Sequence, residues 1–156
     1  MNIVEIKEAV FSRKEHREAI IKITDAYAQD PMGLGFPLPE SAKEKMIREL
    51  EKFPLSLIFI AFYNGEAAGL ATCFYGFSTF SAAKIINIHD LAVLNEYRGK
   101  GIGSSLLAAV EKKAKDELCC KITLEVREDN RARNLYEHIG FSYGEPRMYF
   151  MSKIIQ

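Results

Sequence analysis

Long apolar runs are absent from this chain. No segment approaches the ~18 consecutive apolar residues that a membrane-spanning helix needs, which points away from a membrane protein. An excess of either charge is absent too. The 21 Lys and Arg balance the 21 Asp and Glu, so nothing supports a general nucleic-acid or membrane-surface binder. Cysteines are few, odd in number and without CxxC spacing: Cys73, Cys119 and Cys120. That argues against a disulfide framework or a zinc site. No metal is expected, and a reducing cytoplasm is the expected compartment. The opening residues "MNIVEIKEAV" lack the basic-then-apolar order of a signal peptide. Internal repeats, low-complexity tracts and long linkers are also missing.

What is present has the composition of a globular protein: 156 residues, 48% hydrophobic and 27% charged. The length suits a single domain, 1–156, with a real core. A first strand is expected over Asn2 to Ala9. Ser12 and Glu15, then Ser41 and Glu44, have capping-box spacing, in which a hydroxyl and a carboxylate satisfy the open N–H groups of a helix start. The first helix then runs to about Gln29 through Ala19, Ile20, Ile23 and Tyr27. The second carries Ala42, Met46, Ile47 and Leu50. Asn64-Gly65, suited to positive φ, joins strands 56–63 and 67–77 as a hairpin. A strand over 83–94 follows. A helix with Ile102, Leu106, Ala109, Val110 and Ala114 on one face comes next, then a strand over 121–126. Ala132, Leu135, Tyr136 and Ile139 mark another helix, ended by Gly140. One or two closing strands are expected from Phe141 on, "RMYFMSK" being the clearest. The order is β-α-α-β-β-β-α-β-α-β-β, a mixed α/β sheet with helices on both faces.

The most informative stretch is "EYRGKGIGSSLL", 96–107. A helix N-terminus has unpaired N–H groups and a partial positive charge. Glycines before it let the oxygens of a phosphate approach the backbone. One reading is a glycine-softened loop. A dinucleotide site fails on GxGxxG spacing, since Ser104 stands where glycine is required. A Walker loop fails for want of a following GK[ST]. The remaining reading is a pyrophosphate site of another kind, matching Arg-x-x-Gly-x-Gly across Arg98, Gly101 and Gly103.

That pattern resembles the GCN5-related N-acetyltransferase (GNAT) family. So does the whole run "HDLAVLNEYRGKGIGSSLL", and "NRARNLYEHIGF" is similar to the family's second signature. The resemblance implies a GNAT-like fold and acetyl-coenzyme A as co-substrate. It implies direct acetyl transfer, in a ternary complex, to a primary amine on a small molecule, peptide or protein. A non-catalytic acyl-coenzyme A sensor on the same fold is the alternative. Dimers are common in the family, and no residue here specifies one.

The implied coenzyme contacts are the backbone of Leu91, Ala92 and Val93 for the pantetheine arm. For the pyrophosphate they are Arg98, Gly99, Lys100, Gly101, Ile102, Gly103 and Ser104. Asp129 stands at the distance of the family's asparagine and Asn130 one residue closer, so either serves as helix cap or coenzyme contact. Tyr136 is the implied acid beside the sulfur, or else a core residue. His89 is the candidate base, expected on the same strand face as Leu91 and Val93, with Asp90 on the opposite face. The alternative for His89 is a structural histidine. Cys73 as a covalent acetyl carrier competes with a small buried residue. The loop from Asp30 to Glu40 and the first two helices are expected to shape the acceptor pocket. Asp25, Asp30, Glu40 or Glu44, and the aromatics Phe74, Tyr75, Phe77 and Phe80, are candidates to line it.

Overall fold

The structure, a computed structural model, describes residues 3–155. It divides into two compact units, one ending at Leu124 and the other beginning at Glu125.

The first unit is built on a five-stranded sheet in the order β1-β2-β3-β4-β5. Its strands are β1 (Val4–Glu8), β2 (Ser56–Tyr63), β3 (Glu66–Ser78), β4 (Ala83–Val93) and β5 (Lys121–Leu124). The expected start of β1 at Asn2 lies outside the described residues. Neighbouring strands are antiparallel as far as β4; β4 and β5 are parallel, joined by a helical crossover. The β2–β3 hairpin turns on Asn64 and Gly65, with φ of 50° and 86°. Those are the positive angles this residue pair tolerates best.

Helices α1 (Lys14–Gln29), α2 (Glu40–Lys52) and α3 (Ile102–Asp116) complete the unit. Ala19, Ile20 and Ile23 of α1 pack on Ile58, Ile60, Phe62, Leu70 and Ala92, with Met46, Ile47 and Leu50 of α2 beside them. The other face belongs to α3. A Cβ added at Gly69, next to Leu70, would sit 3.1 Å from Ile102 and 3.4 Å from Leu106. Adjacent strand residues point to opposite faces, so helices cover both sides, as expected. Leu57 through Phe62 are all buried, which reflects that double cover.

Neither capping box forms. Helix α1 starts after Arg13, without a side-chain cap. The Glu15 carboxylate is taken by Arg13 Nε at 2.8 Å. His16 Nδ1 accepts the Val10 N–H at 3.0 Å. Helix α2 begins one residue before Ser41, because Pro39 stands at its N-cap with its ring already fixing φ.

The second unit contains one helix, α4 (Ala132–His138). The expected closing strands do not form: residues 141–155 belong to no strand. Met148, Tyr149, Phe150 and Met151 are all exposed, so their alternation has no buried side. A two-residue period marks a face but supplies no partner ladder, and among the described residues this unit holds no strand to pair with. Among the described residues, no helix is long and apolar enough to cross a membrane.

Candidate active site

The glycine stretch links β4 to α3. A single 3₁₀ turn, Asn95–Tyr97, leads to Arg98. Gly99 and Gly101 then take φ of 75° and 77°, a left-handed backbone that glycine adopts without strain. A Cβ at either position would meet nothing within 4 Å, so the backbone there faces open space. Among the described residues, the backbone N–H groups of Gly99 and of Gly101 through Ser104 find no acceptor, while Lys100 closes a hydrogen-bonded turn. In α3 the first that does is Ser105, whose N–H bonds the Gly101 carbonyl at 3.0 Å. Its hydroxyl donates to the same oxygen at 3.1 Å. Buried Ile102 fixes the helix against the sheet. The result is a bare concave row of donors at the positive end of a four-turn helix, suited to an anion.

The two cations of the turn are already engaged. Arg98 donates from Nε to the Val93 carbonyl at 3.1 Å and reaches Asp30 Oδ2 at 2.8 Å. Asp30, which ends α1, also accepts the Met32 N–H at 2.9 Å. That backbone bond and then Arg98 hold its carboxyl below the usual range. Lys100 lies over two rings, 4.6 Å from the Tyr63 centroid and 5.3 Å from that of Tyr97. It is held by cation–π attraction.

Next to the turn, β4 has an open edge. Its ladder with β5 ends at Ile88↔Leu124, so 89–93 have no strand partner on that side. Leu94 donates its N–H to Ala68 of the β3 side at 2.9 Å. Because an antiparallel strand alternates its hydrogen-bonding direction, Leu91 and Val93 turn their N–H groups to the open edge, while Ala92 faces β3.

A bulge lies in the same strand. Thr72 pairs with Asp90 and Cys73 with Ile88, which leaves His89 unpaired. One extra residue reverses the alternation. This corrects the expected face of His89, whereas Asp90 does lie opposite Leu91 and Val93. Asp90 shares the face of Thr72, toward α1 and α2, whereas Leu91 and Val93 share the α3 face. His89, at the bulge, lines the same pocket as Asp90.

That pocket has a volume of about 460 Å³. Ile20 and Thr24 of α1 line it, with Met46, Glu49, Leu50 and Phe53 of α2 and its end, Thr72 and Phe74 of β3, and His89 and Asp90. Helices α1 and α2, expected to shape an acceptor pocket, line this one, whereas the 30–40 loop does not. Asp25 is occupied elsewhere, by the Leu38 N–H at 2.8 Å and Lys43 at 3.1 Å, and Asp30 by Arg98. Of the four expected aromatics, Phe74 alone lines the pocket. Tyr75 bonds Glu117 at 3.0 Å, and Phe77 and Phe80 are exposed. Burial raises the Asp90 carboxyl above its ordinary range, opposed only by the charge of His89. Glu49, Thr24, Thr72 and Asp90 were not expected. Residues 46, 49, 50 and 53 form one helical stripe, a signal that would have included Glu49.

Cys73 is fully buried, and its thiol is pushed up to about 12 by that burial and then by Asp90. A buried thiol raised in this way is a poor nucleophile near neutral pH, which fits the reading of Cys73 as a small buried residue.

In the second unit, Asn130 Oδ1 accepts the Ala132 N–H at 2.9 Å and starts α4. Asp129 is paired with Arg127 at 2.9 and 2.8 Å. Tyr136 is buried and meets Phe141 edge-on at 5.9 Å.

A family model described as "Acetyltransferase (GNAT) family" matches residues 21–141. The chain is 38% identical over 87 residues to YhfO, called an uncharacterized N-acetyltransferase, of Bacillus subtilis (strain 168). The match covers 55% of this chain and 58% of that protein, little more than half the relative's length. Among solved structures, a probable acetyltransferase superposes with a TM-score of 0.82 at 22% identity, over 97% of this chain and 99% of that one. The aminoglycoside N-acetyltransferase AAC(6')-Iy in complex with CoA gives 0.77 at 19%, over 98% and 96%. At such identities the likeness is one of fold.

Proposed function

This chain belongs to the GNAT acetyltransferase family, and from that premise we propose that it moves an acetyl group from acetyl-coenzyme A to a primary amine, both substrates being bound at once. The observation that carries this reading is the run of backbone N–H groups from Gly101 to Ser104, with that of Gly99, that find no acceptor among the described residues. It lies beside an open strand edge, and the pocket lies along the same strand.

In this reading the Gly99–Ser104 backbone, including Ile102 and Gly103, holds the pyrophosphate, and Arg98 and Lys100 supply positive charge nearby. Leu91 and Val93 hold the pantetheine arm through their N–H groups, with Ala92 fixing the strand between them. The thioester supplies an activated acetyl carbonyl. Its attack requires a neutral amine, so His89 takes a proton from the bound ammonium, directly or through water. As the carbon–sulfur bond breaks, Tyr136 gives a proton to the departing thiolate, and the proton that the nitrogen sheds as the amide forms restores the Tyr136 hydroxyl through water. Of the two residues before α4, Asn130 has an uncharged amide to offer the coenzyme, whereas Asp129 is an anion already paired with Arg127.

A panel of primary amines, with thiol release from acetyl-coenzyme A as readout, tests this. Release above the no-amine control is expected. Tight coenzyme binding with no release from any amine points instead to a sensor. Tyr136→Phe should lower kcat by about 10²–10⁴. An unchanged rate at every pH removes Tyr136 from the acid's role.

A further inference from the structure

Resting on the acetyl-transfer reading above, we propose that the pocket between α1, α2 and β4 takes a primary monoamine on an apolar, aromatic body, with Asp90 seating its ammonium group. A volume of about 460 Å³ is in the range of small-molecule sites. Its walls are largely apolar: Ile20, Met46, Leu50, Phe53 and Phe74. The rings of Phe53 and Phe74 meet edge-on at 5.5 Å, and Phe74 meets His89 in the same way at 5.6 Å. Three rings thus form a continuous aromatic wall that leads to the β4 bulge. Such a surface favours another ring by area and by edge-to-face geometry.

Charge sets the number of amino groups. Two carboxylates line the pocket, but Glu49 is at the outer end, more than half exposed and tied to Arg48 at 2.9 Å. Asp90 is half-buried and has only His89 as a charged neighbour opposing its burial. Among the described residues, no lysine or arginine lines the pocket. A bound ammonium would supply the countercharge that Asp90 lacks, beside the residue proposed to remove its proton. One half-buried carboxylate suits one cation. A polycationic, polyhydroxylated acceptor would leave most of its amino and hydroxyl groups against apolar side chains. Each unpaired group there weakens binding by about tenfold or more.

The test reads amine binding separately from acetyl transfer. Phenethylamine, 2-phenylethanol and kanamycin are titrated calorimetrically into the protein, alone and with saturating coenzyme A. Phenethylamine should bind at least about tenfold more tightly than the uncharged alcohol, the scale of one charged hydrogen bond, and kanamycin more weakly than either. Asp90→Asn should abolish the preference for the amine and leave acetyl-coenzyme A affinity unchanged; Glu49→Gln should change phenethylamine affinity less than threefold, on the order expected of an exposed charge. Kanamycin binding as tightly as phenethylamine, no phenethylamine binding in either condition, or an amine preference that survives Asp90→Asn overturns the proposal. If Asp90→Asn does not fold, the wild-type ranking of the three ligands decides by itself. Phenethylamine binding without acetyl transfer would refute the reaction and leave the pocket assignment standing. Transfer to amines other than phenethylamine, with no phenethylamine binding, would do the reverse.

Discussion

Replacing Gly101 by leucine separates backbone strain from loss of the anion cradle, because the fold contains its own control. Gly101 and Gly65 have nearly the same φ, 77° and 86°, and a Cβ at either would meet nothing within 4 Å. Neither substitution creates a clash, and both force an L-residue into the left-handed region at about 1–2 kcal/mol. For a chain of this length each kcal/mol moves Tm by about 2–4 °C, so both variants should melt about 2–8 °C lower. Only Gly101 is among the unpaired donors. Its leucine would fill the open space before them and remove two charge-assisted hydrogen bonds, each worth about 1.5–3 kcal/mol. Acetyl-coenzyme A affinity should therefore fall by about 100-fold or more in Gly101→Leu and stay at the wild-type value in Gly65→Leu. Thermal unfolding and calorimetric titration of the three proteins suffice. Equal melting losses with wild-type affinity in both variants would refute the cradle.

Gly69→Val should act on the same site from beneath. Its Cβ would approach the Ala92 carbonyl to 2.8 Å and Ile102 to 3.1 Å, so β4 and the first turn of α3 must separate. Stability should drop by about 1–3 kcal/mol in urea unfolding, with weaker acetyl-coenzyme A binding, although residue 69 is outside the turn. Glu117 is lowered to about 2 by Lys84 first, then Tyr75 and Lys113. A depressed carboxyl contributes stability above its unfolded pKa and loses it as pH falls through the folded one. Glu117→Gln should cost about 1–2 kcal/mol at pH 7, discounted for a side chain 28% exposed. Urea titrations should show that gap narrowing below about pH 4.5 and vanishing near pH 2; a constant gap contradicts the assignment. Iodoacetamide at pH 7.5, followed by mass spectrometry, should label exposed Cys120 and spare Cys73 in the folded protein.

Local chemistry was legible in the sequence where one residue type dictates a backbone state. Asn64-Gly65 and the Gly99–Gly101 turn are of this kind, and both form as expected. So are the apolar stripes of α1 and α3, whose spacing fixes the buried face. The β4 bulge was not legible. Nothing in "IINIHDLAV" marks His89 as the extra residue, because the bulge arises from pairing with β3, a long-range event. One unpaired residue took His89 off the expected face of Leu91 and Val93 and set it at the pocket beside Asp90. The capping boxes failed for a similar reason: Arg13 competes for Glu15, and Pro39 sets the start of α2 before Ser41 can. The closing strands failed because alternation in "RMYFMSK" cannot supply a partner. Arg98 and Lys100 were read as cations near a phosphate; their engagement with Asp30, Tyr63 and Tyr97 depends on residues distant in sequence.

The central claim is that the Gly99–Ser104 backbone holds the pyrophosphate of an acyl-coenzyme A. The most direct measurement is an amide-resolved NMR titration of the wild-type chain with acetyl-coenzyme A, counting sites and following backbone N–H signals. Saturation at one coenzyme per chain, with the largest shifts at Gly99 to Ser104 and at Leu91 and Val93, is the predicted result. Absence of binding, or binding that leaves those amides unmoved, would contradict it.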